Sequence, residues 1–114
     1  MAEPPFISVL IPCYNEKKYI PALIENLRGQ NYPANRSEII FADGMSTDGT
    51  KELLEEYAKE SPQIAVIDNP DRYVPTGLNA ALRASRGTII IRMDAHSIYP
   101  TDYWKTLVSK LDEH

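Results

Sequence analysis

The chain has 114 residues, which suits one domain around a single core, and 43% of them are hydrophobic. A formal net charge of -4 argues against a broad electrostatic grip on nucleic acid, while leaving room for a local phosphate site. Cys13 is the only cysteine, so there is no internal disulfide and no cysteine zinc cage, and no apolar run approaches the roughly 20 residues of a membrane-spanning helix.

Residues 6–11 (FISVLI) form a short apolar run that Pro12 is expected to stop, as suits a strand buried on both faces. Residues 17–28 predict a helix, because Tyr19, Ile20, Leu23, Ile24 and Leu27 recur at helical spacing and Gly29 can end it. Residues 38–42 (EIIFA) predict a second strand running into Asp43-Gly44. Ser46-Thr47-Asp48-Gly49 is a turn rich in capping residues. It leads to a helix over 50–59 that carries Leu53, Leu54, Tyr57 and Ala58 on one face and breaks at Ser61-Pro62. A third strand over 64–67 (IAVI) and a loop with two prolines over 68–75 precede an alanine-rich helix over 76–85. The fourth strand spans 88–93, and a last amphipathic helix spans 102–111. This strict alternation of strand and helix predicts a three-layer α/β/α arrangement around a mostly parallel sheet. The N-terminus shows no basic region followed by an apolar run, so no signal peptide is expected.

In such a sheet, ligands bind beyond the carboxyl ends of the strands, where the strand order reverses. Polar residues cluster in those places: Pro12-Cys13-Tyr14-Asn15-Glu16, Asp43 to Asp48, Asp68 to Arg72, and Asp94-Ala95-His96. Each cluster alone suits an ordinary turn or helix cap; four of them are expected to converge on one rim. The chain lacks G-x-G-x-x-G after the first strand and lacks G-x-x-x-x-G-K-[ST], which disfavours a dinucleotide-binding Rossmann site and excludes a P-loop. A receiver-like phosphoacceptor site would place acids at the end of the first strand, where Pro12 and Cys13 stand.

Three blocks, "SVLIPCYNEKKYIPALIENLRGQNYP", "EIIFADGMSTDGT" and "GLNAALRASRGTIIIRMDAH", resemble in their order the first half of a family-2 glycosyltransferase. That family comprises inverting enzymes of the GT-A type, with a Rossmann-like nucleotide-binding half, which use nucleotide-diphospho-sugars. The "RMDAH…YP" variant resembles enzymes of bacterial exopolysaccharide synthesis. The resemblance implies that Pro12, Tyr14 and Glu16 line the nucleotide pocket, that Asp43 contacts the base, and that Arg72, Gly77 and Asn79 approach the nucleotide. Asp48 is expected to hold its loop or cap the helix. The family's D-x-D motif falls on Asp94-Ala95-His96, with histidine in place of the second acid. Asp94 would lie near ribose and metal, and His96 would reach the metal.

The chemistry has a reason for such a site. Transfer releases a nucleoside diphosphate, and a divalent cation on its oxygens stabilises the charge that grows as the glycosidic bond breaks. Mg²⁺ takes oxygen ligands, while an imidazole shifts the preference toward Mn²⁺. Residues two apart in extended backbone point the same way, so Asp94 and His96 reach one ion if the strand geometry persists that far. Two protein ligands make a weak site, which the diphosphate is expected to complete.

The family's catalytic base, a carboxylate, lies in the second half of the domain, so no catalytic residue is assigned within 1–114. The expectation is one truncated glycosyltransferase domain that binds a donor, of UDP type, and transfers little or nothing by itself. The saccharide or lipid-linked acceptor and the cytoplasmic location, at the inner face of the membrane, belong to the parent protein. The fourth strand would lack its next neighbour, which invites self-association through the edge, and the Tyr103/Trp104 face is expected to lack part of its packing. Cys13 reads as packing, Lys17 and Lys18 as the solvated start of a helix, and Arg92 as the partner of an acid or of a phosphate. Two other readings stand beside this one. One is a non-catalytic interaction domain on the same fold. The other is a nucleotidyltransferase-like enzyme, against which the lack of glycines and basic residues in "PCYNE" counts.

Overall fold

The computed structural model describes residues 3–112. Strands β1 (Ile7–Cys13), β2 (Ser37–Asp43), β3 (Ile64–Asp68) and β4 (Ile89–Arg92) alternate with helices α1 (Ile20–Arg28), α2 (Thr50–Glu60), α3 (Val74–Ala84) and α4 (Tyr103–Asp112). All strand pairs are parallel, in the order β3-β2-β1-β4. Parallel strands need crossovers, and each crossover here carries a helix, so both faces of the sheet receive cover.

The two faces are covered unequally. Ile7, Val9, Ile11, Ile39, Phe41, Ile64 and Ile91 alternate onto one face, where Leu23, Ile24 and Leu27 of α1, Leu54 of α2, and Trp104 and Val108 of α4 pack against them. The other face holds a smaller cluster, Leu10, Ile40 and Ala42, beneath Ala81 and Leu78 of α3. Among the described residues, α3 is the helix that packs on this side, and Ile90 of the edge strand β4 remains 41% exposed. The sheet is therefore the middle of three layers, as its sequence pattern predicts, but among the described residues one outer layer is a single helix.

Most element ends differ from the sequence reading by a residue or more, and at three of them proline explains the difference. β1 runs through Pro12 to Cys13. The Leu10 carbonyl accepts from Met93 N on the β4 side, and residue 12 directs its backbone to that same side. Pairing with β4 ends at Leu10–Arg92, so the missing N–H costs no ladder bond. The predicted helix over 17–28 is a 3₁₀ turn, Lys17–Tyr19, followed by α1, because Pro21 can occupy only the first turn of an α-helix. α3 starts at Val74, two residues earlier than expected, since Pro75 fits its first turn equally well.

The Tyr103/Trp104 face is better packed than the sequence suggests. Trp104 is 1% exposed, its indole donates to Met93 Sδ at 3.2 Å, and its backbone N donates to Gln30 Oε1 at 3.0 Å. The end of α1 holds the segment before α4 by further bonds, with Asn26 bonded twice to the Tyr99 backbone and Gln30 Nε2 to the Pro100 carbonyl. Among the described residues, no helix is long and apolar enough to cross a membrane.

Candidate functional site

β1 has β2 on one side and β4 on the other, so the strand order reverses between β1 and β4. A cleft of about 180 Å³ opens beyond the strand ends at that point. Its walls come from four segments: Pro12 and Cys13 at the end of β1 with Tyr14 and Glu16 after it; Ala42 of β2; Asn69, Arg72 and Val74 around the start of α3; and Arg92, Asp94, Ala95 and His96 at the end of β4.

The alternation of β4 aims its polar residues at this space. The ladder ends at Arg92, and Ala95-His96 form a turn, so regular strand geometry does not reach the Asp94/His96 pair. The in-and-out pattern nevertheless continues. Ile91, Met93 and Ala95 are buried in the core, while Arg92, Asp94 and His96 are exposed and line the cleft. Burial of Met93 and Ala95 thus does what strand hydrogen bonds do not. The Asp94 backbone N donates to the Tyr99 hydroxyl at 2.9 Å, and Tyr99 is tied to Asn26, so α1 braces the motif from beneath.

Charged and aromatic groups pair around the opening. Arg92 lies 3.7 Å from Asp94, with both side chains more than half exposed. His96 Nδ1 lies 3.3 Å from Glu16 Oε1. The Arg72 guanidinium sits 4.9 Å from the centroid of the Tyr14 ring, which sets a cation on an aromatic face at the rim. Two arginines and a ring suit an anionic, partly aromatic ligand. Asp94 and His96 supply one oxygen and one nitrogen donor, a set that fits a divalent cation whose other ligands come from diphosphate and water. Among the described residues, no three His, Cys, Asp or Glu side chains gather as a ready metal cage.

The rim is also where the backbone departs from ordinary conformations. Asn15, Met45 and Arg72 have positive φ of 51°, 64° and 64°, and they are the non-glycine residues with that property among the described ones. Each such residue costs on the order of 1–3 kcal/mol, which the surroundings must offset. Asn15 does so through the loop after β2: its side chain accepts from Thr47 N at 2.8 Å, and its N donates to Ser46 Oγ at 2.8 Å. The signal for this role is asparagine itself, which enters the left-handed region more readily than most residues.

Asp43, Gly77 and Asn79, also expected at the site, are not among the residues that line this cleft. The Asp43 carboxylate is fully buried, off the cleft, and accepts from Ser46 N at 3.1 Å and Ser46 Oγ at 2.6 Å. It faces the α1/α2 side with Phe41, whereas its neighbour Ala42 faces the cleft. Gly77 is a packing position, because a Cβ there would meet Asn69 Nδ2 at 2.8 Å. Asn69 uses that close approach to hold the start of α3, bonding the Tyr73 carbonyl and the Thr76 hydroxyl. Asn79 lines a separate polar hollow with Asp68, Asp71 and Arg83. The segments after β1, β3 and β4 therefore meet at the cleft, while the segment after β2 supports it from behind. Asp48 takes part in that support, accepting from Thr50 N at 3.0 Å and Lys17 N at 3.3 Å. The Thr50 hydroxyl above all, with these backbone donors, holds the Asp48 carboxyl below its usual range. Val74, Ala42 and Ala95 line the cleft without any chemical signal in the sequence.

Cys13 borders the cleft but does not act in it as a thiolate. Burial first, then the carboxylates of Asp43, Glu16 and Asp48, push its thiol up to about 12. Its sulfur lies 3.8 Å from the Ala42 carbonyl, which is a packing contact.

Comparison with known proteins agrees with this geometry. The family model described as Glycosyl transferase family 2 matches residues 8–114. The succinoglycan biosynthesis protein ExoA of Rhizobium meliloti is 42% identical over 102 residues, covering 88% of this chain and 31% of that protein. The mannosyltransferase PcManGT from Pyrobaculum calidifontis, solved in complex with GDP-Man and Mn²⁺, superposes with a TM-score of 0.82 at 30% identity, over 94% of this chain and 31% of the other. The S. aureus TarS 1-349 structure in complex with UDP gives 0.80 at 26% identity, over 95% and 32%. The chain thus spans about a third of the length of these relatives. The strand-order reversal, the cleft placed on it and the sequence match across nearly the whole chain lead to one statement: this protein belongs to glycosyl transferase family 2.

Proposed function

We propose that the cleft binds the nucleoside diphosphate of a nucleotide-sugar donor, of UDP type, together with Mg²⁺ or Mn²⁺. The parent protein would use that donor to extend a bacterial polysaccharide or glycoconjugate. The observation that carries this reading is the convergence of Asp94, His96, Arg92 and Arg72 on one cleft at the switch point. The ExoA relative supports the polysaccharide context, and the complexes of the two solved neighbours support a nucleotide and a divalent ion.

Each side chain has a task in this reading. Tyr14 offers a ring face to the base or ribose, and Arg72, stacked on it, closes that end of the pocket. Pro12 and Ala42 form a smooth floor. Arg92 supplies positive charge toward the diphosphate and is released from Asp94 as a cation takes that carboxylate. Asp94 and His96 hold the cation, which would stabilise the negative charge gathering on the leaving diphosphate. Asp43 contributes from behind, by fixing the loop of Met45 and Ser46.

Calorimetric titration with UDP, with and without Mn²⁺, tests the reading, with GDP as the comparison ligand. UDP binding that strengthens at least tenfold with Mn²⁺, and that Asp94→Ala abolishes, is expected. No nucleotide binding by the wild type, or equal binding by Asp94→Ala, overturns the assignment. Binding of a protein partner without any nucleotide affinity would instead favour an interaction domain on the same fold.

A further inference from the structure

The donor reading leaves one feature of the cleft unused. The contact between Glu16 and His96 joins residues 80 apart in sequence and bridges the two walls of the switch point. The partners are unequally held. Glu16 is the anchored one: its side chain is 19% exposed, its N donates to Thr50 Oγ1 at 3.0 Å, and its carbonyl accepts from Tyr19 N at 2.8 Å. Thr50 is itself fully buried and bonded to Asp48. The His96 side chain is 61% exposed, on a turn beyond the last ladder bond. Its ring has a second neighbour in Tyr19, with centroids 5.7 Å apart and planes at 53°.

We infer that Glu16 is a positioning residue that fixes the tautomer and direction of His96, so that Nε2 is the nitrogen presented to the metal–diphosphate site. The inference rests on the donor reading above. Its physical basis is the difference between a carboxylate and an imidazole as donors. An aspartate at position 96 would present a lone pair whichever way it turned. A neutral imidazole presents one only from the nitrogen that lacks the proton, and in water that proton prefers Nε2. A carboxylate accepting from Nδ1–H reverses the preference and frees the Nε2 lone pair. Ligating histidines are usually held in this way, and loss of the outer partner typically weakens metal binding by about 10–100-fold. Histidine at 96 and glutamate at 16 therefore form one unit, in which the variant residue of the motif depends on a support from the opposite wall. The unit also biases the choice of ion, because an imidazole donor favours Mn²⁺ over Mg²⁺.

Long-range ¹H–¹⁵N NMR of the His96 ring in the nucleotide-free protein, at a pH where the ring is neutral, tests the inference without any metal. The Nδ1–H form should dominate in the wild type. Glu16→Gln, whose amide oxygen still accepts, should keep that form, and Glu16→Ala should return the ring to Nε2–H. A second readout is Mn²⁺ affinity in the presence of UDP, followed by electron paramagnetic resonance. It should fall about tenfold or more in Glu16→Ala and much less in Glu16→Gln. A wild-type ring already in the Nε2–H form overturns the inference, even if Glu16→Ala fails to fold. So does a tautomer that Glu16→Ala leaves unchanged. The two readings fail separately: the expected tautomers without UDP–Mn²⁺ binding refute the donor site, whereas UDP–Mn²⁺ binding with an Nε2–H ring refutes only the role of Glu16.

Discussion

The two ends of the sheet treat charge in opposite ways. At the amino end, the Glu38 side chain is only 11% exposed, and its bonding capacity is used internally. It accepts from Ser8 Oγ at 2.6 Å, Arg86 N at 2.6 Å and Arg86 Nε at 3.3 Å, and Ser8 Oγ in turn accepts from Gly87 N at 2.7 Å. At the carboxyl end, Asp94 is 55% exposed and its nearest cation stands 3.7 Å away. Both ends carry an acid and an arginine. The first is a closed network that clasps the α3–β4 connection to β1 and β2, while the second keeps its donors and acceptors open. A satisfied buried charge holds a fold together; an exposed one with a loose partner is available to a ligand.

Changes at the closed end should break the fold, and changes at the open end should break binding. The largest effect on stability is expected from Gly87→Ala. A Cβ there would meet Ser8 Oγ at 2.5 Å, Ser8 N at 2.6 Å and the Ile7 carbonyl carbon at 2.9 Å, and backbone cannot yield as a flexible side chain can. The overpacking should cost roughly 2–3 kcal/mol, read as a lower urea midpoint. Glu38→Ala comes next, at about 1–3 kcal/mol, because it leaves the buried Ser8 hydroxyl without its acceptor and removes the partner of the Arg86 N–H. UDP affinity of the folded fraction should not change, and a parallel loss of affinity would undo the separation of the two ends.

Acid should act through the closed end as well. Burial tends to raise the Glu38 pKa, but the bonds from Ser8 and Arg86 outweigh it and hold the carboxyl below the ordinary value of 4.5. A lowered folded-state pKa means that the stabilisation is fully present above about pH 4.5 and is lost as pH falls through the depressed value. Urea midpoints measured from pH 6 downward should therefore drop more steeply in the wild type than in Glu38→Gln; equal slopes would remove Glu38 from the acid response. The smallest effect on stability, within about 0.5 kcal/mol, is expected from Asp94→Ala, since an exposed pair at the limit of contact contributes little. The same variant should lose UDP–Mn²⁺ binding in calorimetry. If it unfolds at markedly lower urea instead, the open end is structural after all.

Much of this was legible in the sequence, and the exceptions have causes. The alternation of short apolar runs with amphipathic segments is a local pattern, so the strands, the helices and the parallel sheet could be read from it. Boundaries failed around Pro12, read as a stop, Pro21, read as the interior of a longer helix, and Pro75, read as loop; in each place the missing N–H fell where no bond was required. Of the residues singled out in the sequence, Pro12, Tyr14, Glu16, Arg72, Asp94 and His96 line the cleft, while Asp43, Gly77 and Asn79 do not. Asp43 ends one strand and Asp94 closely follows another, and nothing local separates them. They differ in which sheet face their alternation selects and in what covers that face.

The sequence by itself determined the order of elements, the character of the core and the family, because these depend on residue type and spacing along the chain. Only the tertiary structure decided which polar residues meet. That β4 pairs with β1, on the side away from β2, places the reversal of strand order beside Pro12 and Arg92. The in-and-out alternation then sends Asp94 and His96 into the opening and Asp43 beneath a loop. The bridge from Glu16 to His96 spans 80 residues of chain, a distance over which local pattern carries no information and only packing can set a contact.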